Sequence, residues 1–400
     1  MPSKPIVACG LDVGSKQARS VVTLLEKGGC RLIGYSEVKS YGWNKGRISD
    51  PAAVSATIQE ALRLAEQSAQ LSIGSAVLGI GGATISGVPR RGTNQLLRYR
   101  RIDQSDINVA VERAYRSEPL GEDQMIIQLF PQDFTVDGHA GHRNPKGALG
   151  ARLDAHVHLV TSSRHEHDAL VGAANLAGIK VEETIYEAAA AAYVTVRPAD
   201  RREGLALVDI GAHSSDLIVF LGEAVLWSTS IPVSGDLFTR DVARGFRVNF
   251  NDAERIKVEY GCASPEESGE TTLIEVPSAD GRPSRDEPRK KLTLILQARA
   301  EDLFDIVRGE LSAVGMEKSL GGGLVLTGGG ARLPGLCDVA DQMLECESHK
   351  GVPVEIQDWH ADLEDPAWAT AAGLAMYSGR IKIQADAARK GEKFLRRLMG

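Results

Sequence analysis

The sequence predicts an α/β protein in which two similar domains face each other across a cleft, and its 400 residues suffice for two sizeable cores. Two observations predict this class. A strand–turn–strand pattern with Asp and Gly in the turn occurs at residues 7–22 and again at 204–220. Segments with helical periodicity, such as residues 51–70, also alternate along the chain with predicted strands. A pattern repeated at this separation indicates two related domains with one such hairpin each.

The two hairpin turns predict a site for nucleotide phosphates. Each turn follows an apolar strand and offers carboxylates, hydroxyls and glycines, from Asp12, Gly14, Ser15, Asp209, Gly211, Ser214, Ser215 and Asp216. Glycine lets backbone N–H groups approach an anion, and a carboxylate just after a strand can hold hydrated Mg²⁺. Either hairpin alone is also compatible with an ordinary polar turn. The two together favour a phosphate site in the cleft.

Between the hairpins, the pattern predicts helices, a strand and an insertion. A helix begins at the Asp50 N-cap and runs to about Gln70, and a strand ends at Ile80. Residues 83–163 read as a small α+β insertion. An alanine-rich helix follows, and Glu187 at its start places a carboxylate at the cleft.

Beyond the second hairpin, helices are predicted at 234–243, from 251, and at 298–314, 336–344 and 366–378, and a strand at 324–327. Spacing alone makes Glu254 and Lys257, at positions i and i+3 of a helix, a surface ion pair. The strand ends in Gly328, Gly329 and Gly330, which permit either close approach by a flat or anionic ligand or merely a tight turn.

Composition limits the function classes. The net charge is −7, and no basic patch interleaved with aromatic residues occurs, which argues against a nucleic-acid binder. The five cysteines lack CxxC spacing, so neither a disulfide framework nor a zinc site is indicated, and a reducing cytoplasm fits best. No apolar run approaches the roughly 20 residues of a membrane-spanning helix.

Three glycine-bearing elements in this order, with Glu187 between the hairpins, resemble the ATPase superfamily of actin, heat-shock chaperones and sugar kinases. Asp12–Gly14 resembles its first phosphate hairpin, Asp209–Gly211 its second, and Thr327–Ala331 its adenosine motif. The resemblance implies an actin-like (ribonuclease H-like) two-domain ATPase fold.

Further motifs resemble the bacterial FtsA cell-division family. They are Pro131–Phe134, Asn144–Gly147 and Val157–Thr161 in the insertion, and Ser234–Ala243 and Asp252–Cys262 above the predicted nucleotide. The resemblance implies an adaptor that binds ATP and Mg²⁺, polymerises on the cytoplasmic face of the membrane at the division septum, and tethers FtsZ filaments there. Implied partners are FtsZ, other divisome proteins, further copies of the chain and anionic lipid.

The same resemblance implies residue roles. Asp12 and Asp209 would orient Mg²⁺ through its waters, and Ser15, Ser214 and Ser215 would contact phosphates. Glu254 and Lys257 would reach the ribose and adenine, which reverses the interpretation from spacing alone. Glu187, with Asp209, would support at most slow hydrolysis by orienting a water. The remaining implied nucleotide contacts are Gly14, Lys16, Gln17, Gly211, Gly235, Gly328, Gly329 and Gly330.

The implied subdomains are 1A (1–82 and 164–200), the insertion (83–163), 2A (201–233 and 315–380), 2B (234–314), and a linker with a C-terminal amphipathic membrane-targeting helix (381–400). The hairpins depart from the family pattern. Ala212 and His213 stand where glycines are usual, and each adds a Cβ where backbone would approach phosphate. Lys16 lies two residues after Gly14, and Gln17 takes the usual lysine position. We therefore expect slow hydrolysis at most.

The end of the chain predicts a basic amphipathic helix that lies on a membrane. On a helical wheel the apolar side is Ala387, Ala388, Phe394, Leu395, Leu398 and Met399, and the basic side is Arg389, Lys390, Lys393, Arg396 and Arg397. Lys393 to Met399 are the predicted membrane contacts. Each basic residue near anionic lipid contributes about 1 kcal/mol, so one tail binds weakly and several on a filament bind well. A helix docked on the protein's own body is the alternative.

Two other functions are compatible with parts of the pattern. An actin-like pilus-assembly adaptor would share the fold, although the basic tail and residues 252–257 argue against it. A phosphotransferase of the sugar-kinase type would share both hairpins, but it needs a catalytic Asp in a polar substrate pocket, and no convincing candidate occurs in the sequence.

Overall fold

The computed structural model describes residues 5–26, 29–264, 272–277 and 283–398, and side chains only as far as 386. Within these residues lie two large sheets, one of six strands and one of nine. None of the helices found there is long and apolar enough to cross a membrane.

The strands are β1 Ile6–Val13, β2 Gln17–Glu26, β3 Gly29–Lys39, β4 Trp43–Asn44, β5 Arg47–Ile48, β6 Ser75–Ile80, β7 Ser86–Arg101, β8 Gln124–Val136, β9 His139–His142, β10 Leu149–Ser163, β11 Lys180–Tyr186, β12 Leu205–Ile210, β13 Ser215–Leu221, β14 Ala224–Ile231, β15 Leu273–Val276, β16 Arg285–Pro288, β17 Leu324–Thr327, β18 Ser348–Lys350 and β19 Ile356–Gln357. The helices are α1 Pro51–Ala69, α2 Gln104–Tyr115, α3 Arg164–Leu176, α4 Glu187–Thr195, α5 Pro198–Arg202, α6 Gly235–Phe246, α7 Phe250–Tyr260, α8 Arg289–Ala313, α9 Leu336–Leu344 and α10 Ala369–Leu398.

The first sheet has the order β11-β6-β1-β2-β3-β19 and contains the first predicted hairpin. Strands β1 and β2 pair antiparallel, and β1 pairs parallel with β6. Helix α1 packs on this sheet and begins as predicted, because the Asp50 side chain accepts hydrogen bonds from the first backbone N–H groups and Pro51 occupies the first turn. Its apolar face joins the main core.

The second sheet contains the second hairpin and continues into the insertion. Its order is β18-β17-β12-β13-β14-β7-β10-β8-β9. Strand β12 pairs antiparallel with β13 and parallel with β17, so the second hairpin and the glycine turn after β17 end at the same edge. A separate core beneath this sheet includes the buried faces of α6, α8 and α9. The predicted α/β architecture with two domains and an α+β insertion is confirmed.

Helix α10 differs from the sequence prediction. The sequence predicts a closing helix to Ser378 and a linker from 381, but the structure has one uninterrupted helix from Ala369 to Leu398. Residues 379–398 contain no proline and are rich in Ala, Lys and Arg, so nothing in them stops the helix. The predicted membrane contacts Lys393, Phe394, Leu395, Arg396, Arg397 and Leu398 have side chains outside the described part, and Met399 lies outside it altogether.

Close packing fixes the first half of α10 on the body. A Cβ on Gly373 would lie 1.8 Å from the Ala190 carbonyl oxygen of α4, so the two helices touch backbone to backbone. Nine residues further along α10, Lys382 contacts the first sheet. Its Nζ lies 2.7 Å from Glu182 Oε1 of β11 and donates to the Val7 carbonyl of β1 at 2.9 Å. The alanine run of α4 therefore serves close helix packing.

Candidate functional site

A cavity of about 410 Å³ lies between the two sheets, where both hairpin turns meet the glycine turn after β17. It is lined by the predicted residues Asp12, Gly14, Ser15, Lys16, Gln17, Glu187, Asp209, Gly211, Gly235, Glu254, Lys257, Gly328, Gly329 and Gly330. Since these residues come from six separate segments of the sequence, only the folded chain brings them together. A second cavity of about 120 Å³ adjoins the first behind the hairpin turns.

Three carboxyl groups, those of Asp12, Glu187 and Asp209, line the inner end of the cavity, and that of Asp216 is buried next to Glu187. The surroundings of all four disfavour negative charge. Burial raises the pKa of Asp12 to about 7, although the Arg19 guanidinium opposes the rise. Burial raises the pKa of Asp216 to about 8, even though its Oδ2 accepts a hydrogen bond from Gly82 N at 3.1 Å. Burial and the nearby Asp12 raise the pKa of Glu187 well above its usual range. These groups would become ionised more readily beside a cation.

Asp209 is positioned from two sides. Its Oδ2 accepts a hydrogen bond from Thr370 Oγ1 at 2.7 Å, at the start of α10, while burial raises its pKa. Gly328 has φ of 80°, and a Cβ there would lie 2.2 Å from Asp209 Oδ1. Only glycine both adopts this conformation readily and leaves the carboxylate room, which explains the first glycine after β17.

The outer end of the cavity carries an ion network between α6 and α7. Lys257 Nζ lies 2.9 Å from Glu254 Oε2 and donates to the Gly235 carbonyl at 3.0 Å. Burial would raise the pKa of Glu254, but Lys257 and the Thr239 hydroxyl outweigh it and lower the pKa to about 2. Burial lowers the pKa of Lys257. The pair is therefore a part of the cavity wall, and the interpretation from spacing alone as a surface ion pair is wrong.

Lys16 leaves the first hairpin and joins this network. Its Nζ lies 2.8 Å from Asp236 Oδ1 and 3.1 Å from Glu254 Oε1. Burial alone would lower the pKa of Lys16, but the hydrogen bond to Asp236 and the charge of Glu254 raise it. The ammonium group is thus engaged by carboxylates of the opposite domain.

The two hairpin turns also touch each other directly. Ser15 Oγ and His213 Nδ1 lie 2.7 Å apart, and His213 Nε2 lies 3.4 Å from Asp236 Oδ2. Burial lowers the pKa of His213, which favours the neutral ring. With Nε2 protonated toward Asp236, the Ser15 hydroxyl donates its hydrogen bond to Nδ1. We call this contact the Ser15–His213 bridge.

Two predicted phosphate contacts lie elsewhere. Ser215 is fully buried, and its hydroxyl donates to the Val233 carbonyl at 2.6 Å, so its position contradicts a phosphate contact. Ser215 is the first residue of β13, so its side chain and that of Asp216 lie on opposite faces of the strand, and Asp216 is the one that meets Gly82 of the first domain. Ser214 lines only the smaller cavity.

Several cavity residues were not predicted from the sequence, namely Arg19, Phe238, Val258, Arg332, Leu333, Pro334, Ala367 and Thr370. Arg19 donates from Nε to Glu37 at 2.7 Å and stacks on Trp368, so it is fixed beside Asp12. Thr370 lies in a run of small residues that carried no functional signal. Asp216, which is buried beside the cavity, did carry a functional signal in the sequence, because it is the second carboxylate of its hairpin turn.

The donor set suits a cation held through water. In the described part of the chain, no group of three or more His, Cys, Asp or Glu side chains is arranged to enclose a metal ion. Asp216 Oδ1 is buried without a hydrogen-bond partner among those residues. Hydrated Mg²⁺ needs few direct protein oxygens, so Asp12 and Asp209 fit it in this indirect way.

Two family models match parts of the chain. The family model described as cell division protein FtsA matches residues 206–373, and the model described as the SHS2 domain inserted in FtsA matches residues 82–161. The second match corresponds to the strands β7 to β10 and helix α2 of the insertion.

Solved structures share the fold across almost the whole chain. A chain of the PilM-PilN type IV pilus biogenesis complex has a TM-score of 0.67 at 19% identity, covering 93% of this chain and 98% of its own. MreB5 of Spiroplasma citri, solved bound to ADP, has a TM-score of 0.58 at 12% identity, covering 95% and 98%. These likenesses establish an actin-like fold.

Curated relatives are more similar in sequence. The cell division protein FtsA of Pseudomonas aeruginosa is 31% identical over 378 residues, which cover 94% of this chain and 90% of the relative. That of Escherichia coli K12 is 30% identical over 386 residues, covering 94% and 91%. With both family models, an actin-like fold and relatives of this similarity over nearly the full length, the chain belongs to the FtsA family of cell-division proteins.

Proposed function

We propose that this chain binds ATP with Mg²⁺, polymerises on the cytoplasmic face of the membrane at the division septum, and tethers FtsZ filaments to it. The observation that carries the proposal is the single cavity in which both hairpins, the glycine turn and the Glu254–Lys257 pair meet. Membership of the FtsA family and a fold shared with a protein solved with ADP support it.

The cavity walls suggest how the nucleotide lies. Phe238, Val258 and Leu333 provide an apolar surface at the outer end for a purine ring. Glu254 can accept hydrogen bonds from ribose hydroxyls, because its pKa is low and it stays ionised. The phosphates would then follow the glycine turn, residues 328–330, toward the hairpins, where backbone N–H groups can face them.

Mg²⁺ would neutralise the inner carboxylates and the phosphates together. Asp12 and Asp209 would hold its waters, and the cation would lower the raised pKa values of the neighbouring groups. Glu187 would orient an attacking water. Its pKa is raised well above its usual range, so less of the group is ionised and able to accept a proton until a cation binds, and we expect slow hydrolysis.

Attachment to the membrane would depend on α10. The helix starts at the cavity, where Thr370 bonds to Asp209, and continues without a break into the basic tail. At 1.5 Å per residue, its 30 residues span about 45 Å. Lys382 ties this helix to the body by an ion pair with Glu182 and a hydrogen bond to the Val7 carbonyl, so the amphipathic segment follows within a few residues of an anchored position.

Vesicle co-sedimentation tests this proposal. We expect the full chain to pellet with vesicles that contain anionic lipid, more with ATP than with ADP, and to stay in the supernatant with neutral vesicles. A chain ending at Gln384 keeps Lys382 and should not pellet. The variant Lys393→Glu, Arg396→Glu, Arg397→Glu, which keeps the full length, should lose at least tenfold in lipid affinity, since each cation contributes about 1 kcal/mol.

Two outcomes would contradict the proposal. If all three chains pellet equally, or none pellets, the tail does not bind lipid and a docked helix is the better interpretation. If small hydroxyl compounds are phosphorylated at the expense of ATP, the chain is a phosphotransferase. A pilus-type adaptor would be indicated by binding to a pilus membrane peptide without binding to FtsZ.

A further inference from the structure

The Ser15–His213 bridge divides the cleft between the domains. The larger cavity and the smaller one share Gly14, Ser15, Glu187, Gly211 and Ala212, but His213 lines only the smaller. The histidine ring and the Ser15 hydroxyl therefore form the partition where the two hairpin turns face each other.

The groups around the partition are already paired with one another. Asp236 lies 2.8 Å from Lys16 Nζ and 3.4 Å from His213 Nε2, and its side chain is only 10% exposed. The cation of the first hairpin and the ring of the second are thus both turned toward one carboxylate. Neither is free to meet an anion between the turns.

Phosphates that stop short of the turns meet no such obstacle. A diphosphate has room in the larger cavity along residues 328–330 and beside the backbone of Gly14. A third phosphate would enter the gap between the turns, where Ser15 Oγ and His213 Nδ1 are 2.7 Å apart. A phosphate group needs hydrogen-bond distances of about 2.8 Å on each side, so the bridge must open and the anion must approach Asp236.

We propose that His213 makes this site selective for a nucleoside diphosphate over the corresponding triphosphate, an inference that rests on the proposed nucleotide site. The imidazole, held by Ser15 and Asp236, fills the space that a terminal phosphate requires. It also engages the Ser15 hydroxyl that would otherwise donate a hydrogen bond to that phosphate. His213 is accordingly a specificity-determining residue. It closes the partition behind a diphosphate and is displaced by a triphosphate.

Equilibrium binding of the full chain to ADP and to a non-hydrolysable ATP analogue, each with Mg²⁺, tests this assignment. We expect the wild type to prefer ADP by about tenfold, which corresponds to about 1.4 kcal/mol. His213→Gly removes the ring and should increase the affinity for the ATP analogue about tenfold, while the affinity for ADP should change by less than about threefold. His213→Asn, whose amide oxygen can replace Nδ1 as the acceptor, should keep most of the preference.

His167→Ala is the matched control. This histidine also lines the smaller cavity, but its ring contacts Asp168 and Thr184, so the ratio of the two affinities should not change. The assignment is wrong if His213→Gly leaves the ratio within twofold of the wild type, or if both nucleotides tighten equally. Binding of neither nucleotide to any variant would overturn the nucleotide site itself, and the role of His213 with it.

Discussion

At the scale of single residues, several carboxyl groups are buried at the cleft, and burial raises their pKa values. Asp216 is 4% exposed, and burial raises its pKa to about 8, whereas in the unfolded chain it titrates near the ordinary value of 3.8. Ionising it in the folded protein is therefore costly. Because the folded state binds this proton more tightly, stability is highest below the unfolded pKa and falls as the pH rises toward 8.

Asp216→Asn should reverse this loss. In buffer with a metal chelator, we expect the wild type to lose stability between pH 5.5 and 8.5, and the variant to be more stable than the wild type at pH 8.5 by about 2 kcal/mol. Some slope remains, since burial also raises the pKa of Asp12 to about 7. Urea denaturation at both pH values measures the effect.

The exposed Asp362 supplies the control, because Asp362→Asn should change the free energy of unfolding by less than about 0.5 kcal/mol at either pH. An Asp216→Asn variant that is less stable than the wild type at pH 8.5 would show that the carboxylate is ionised and satisfied in the folded protein, contrary to this account.

Residue positions could be predicted where the chain pattern determines them. Asp12, Asp209 and the glycines after β17 follow directly on buried strands, so their place at the sheet edge follows from the sequence. The direction of the Ser215 side chain could not be predicted, because it depends on the residue at which β13 begins. A shift of that start by one residue exchanges the two faces of the strand. The turn of Lys16 toward Asp236 depends on a contact from the other domain.

At the scale of elements, α10 depends on backbone contact with α4. Gly373→Ala should force these helices apart, because its Cβ would overlap the Ala190 carbonyl, and should destabilise the protein by about 1–3 kcal/mol. Gly309→Ala in α8 is the matched control, since a Cβ there meets nothing within 4 Å. We expect Gly309→Ala to stabilise by about 0.5–1 kcal/mol, since alanine favours a helix interior over glycine.

Thermal or urea unfolding of both variants separates packing from helix propensity. Stabilisation by both substitutions would show that α10 and α4 are not in close contact. The same contact explains why the start of α10 could be predicted, since small residues there allow close packing on α4.

The continuation of the helix beyond Ser378 could not be predicted. The residues change there from small to basic and amphipathic, but the sequence contains no signal that decides whether the helix ends.

Strand β7 shows what element prediction missed. Its residues 86–101 include five arginines and lack a clean apolar alternation, so local pattern gives little sign of a strand. Pairing with β10 along nearly its whole length supplies the hydrogen bonds that make it one. Such a strand is determined by a distant partner and by α2 packed on it, and neither is visible locally.

At the scale of the whole molecule, contacts between the domains converge on the cleft. The Tyr186 hydroxyl donates to the Leu217 carbonyl at 3.0 Å, Lys16 reaches Glu254, and the Ser15–His213 bridge joins the hairpin turns. Helix α10 begins in the same place and leads to the tail. The two-domain architecture could be predicted from the repeated hairpin. The contacts between the domains could not, because they depend on how the two sheets are placed relative to each other.

Recruitment of FtsZ to a membrane tests the central claim most directly. Polymerised cognate FtsZ would be mixed with anionic vesicles and ATP, together with the full chain, the chain ending at Gln384, or the triple glutamate variant of the tail. We predict that FtsZ pellets with vesicles only when the full chain with its native tail is present. Equal recruitment by the tailless chain, or none by the full chain when it is itself bound to the vesicles, would contradict the tethering function.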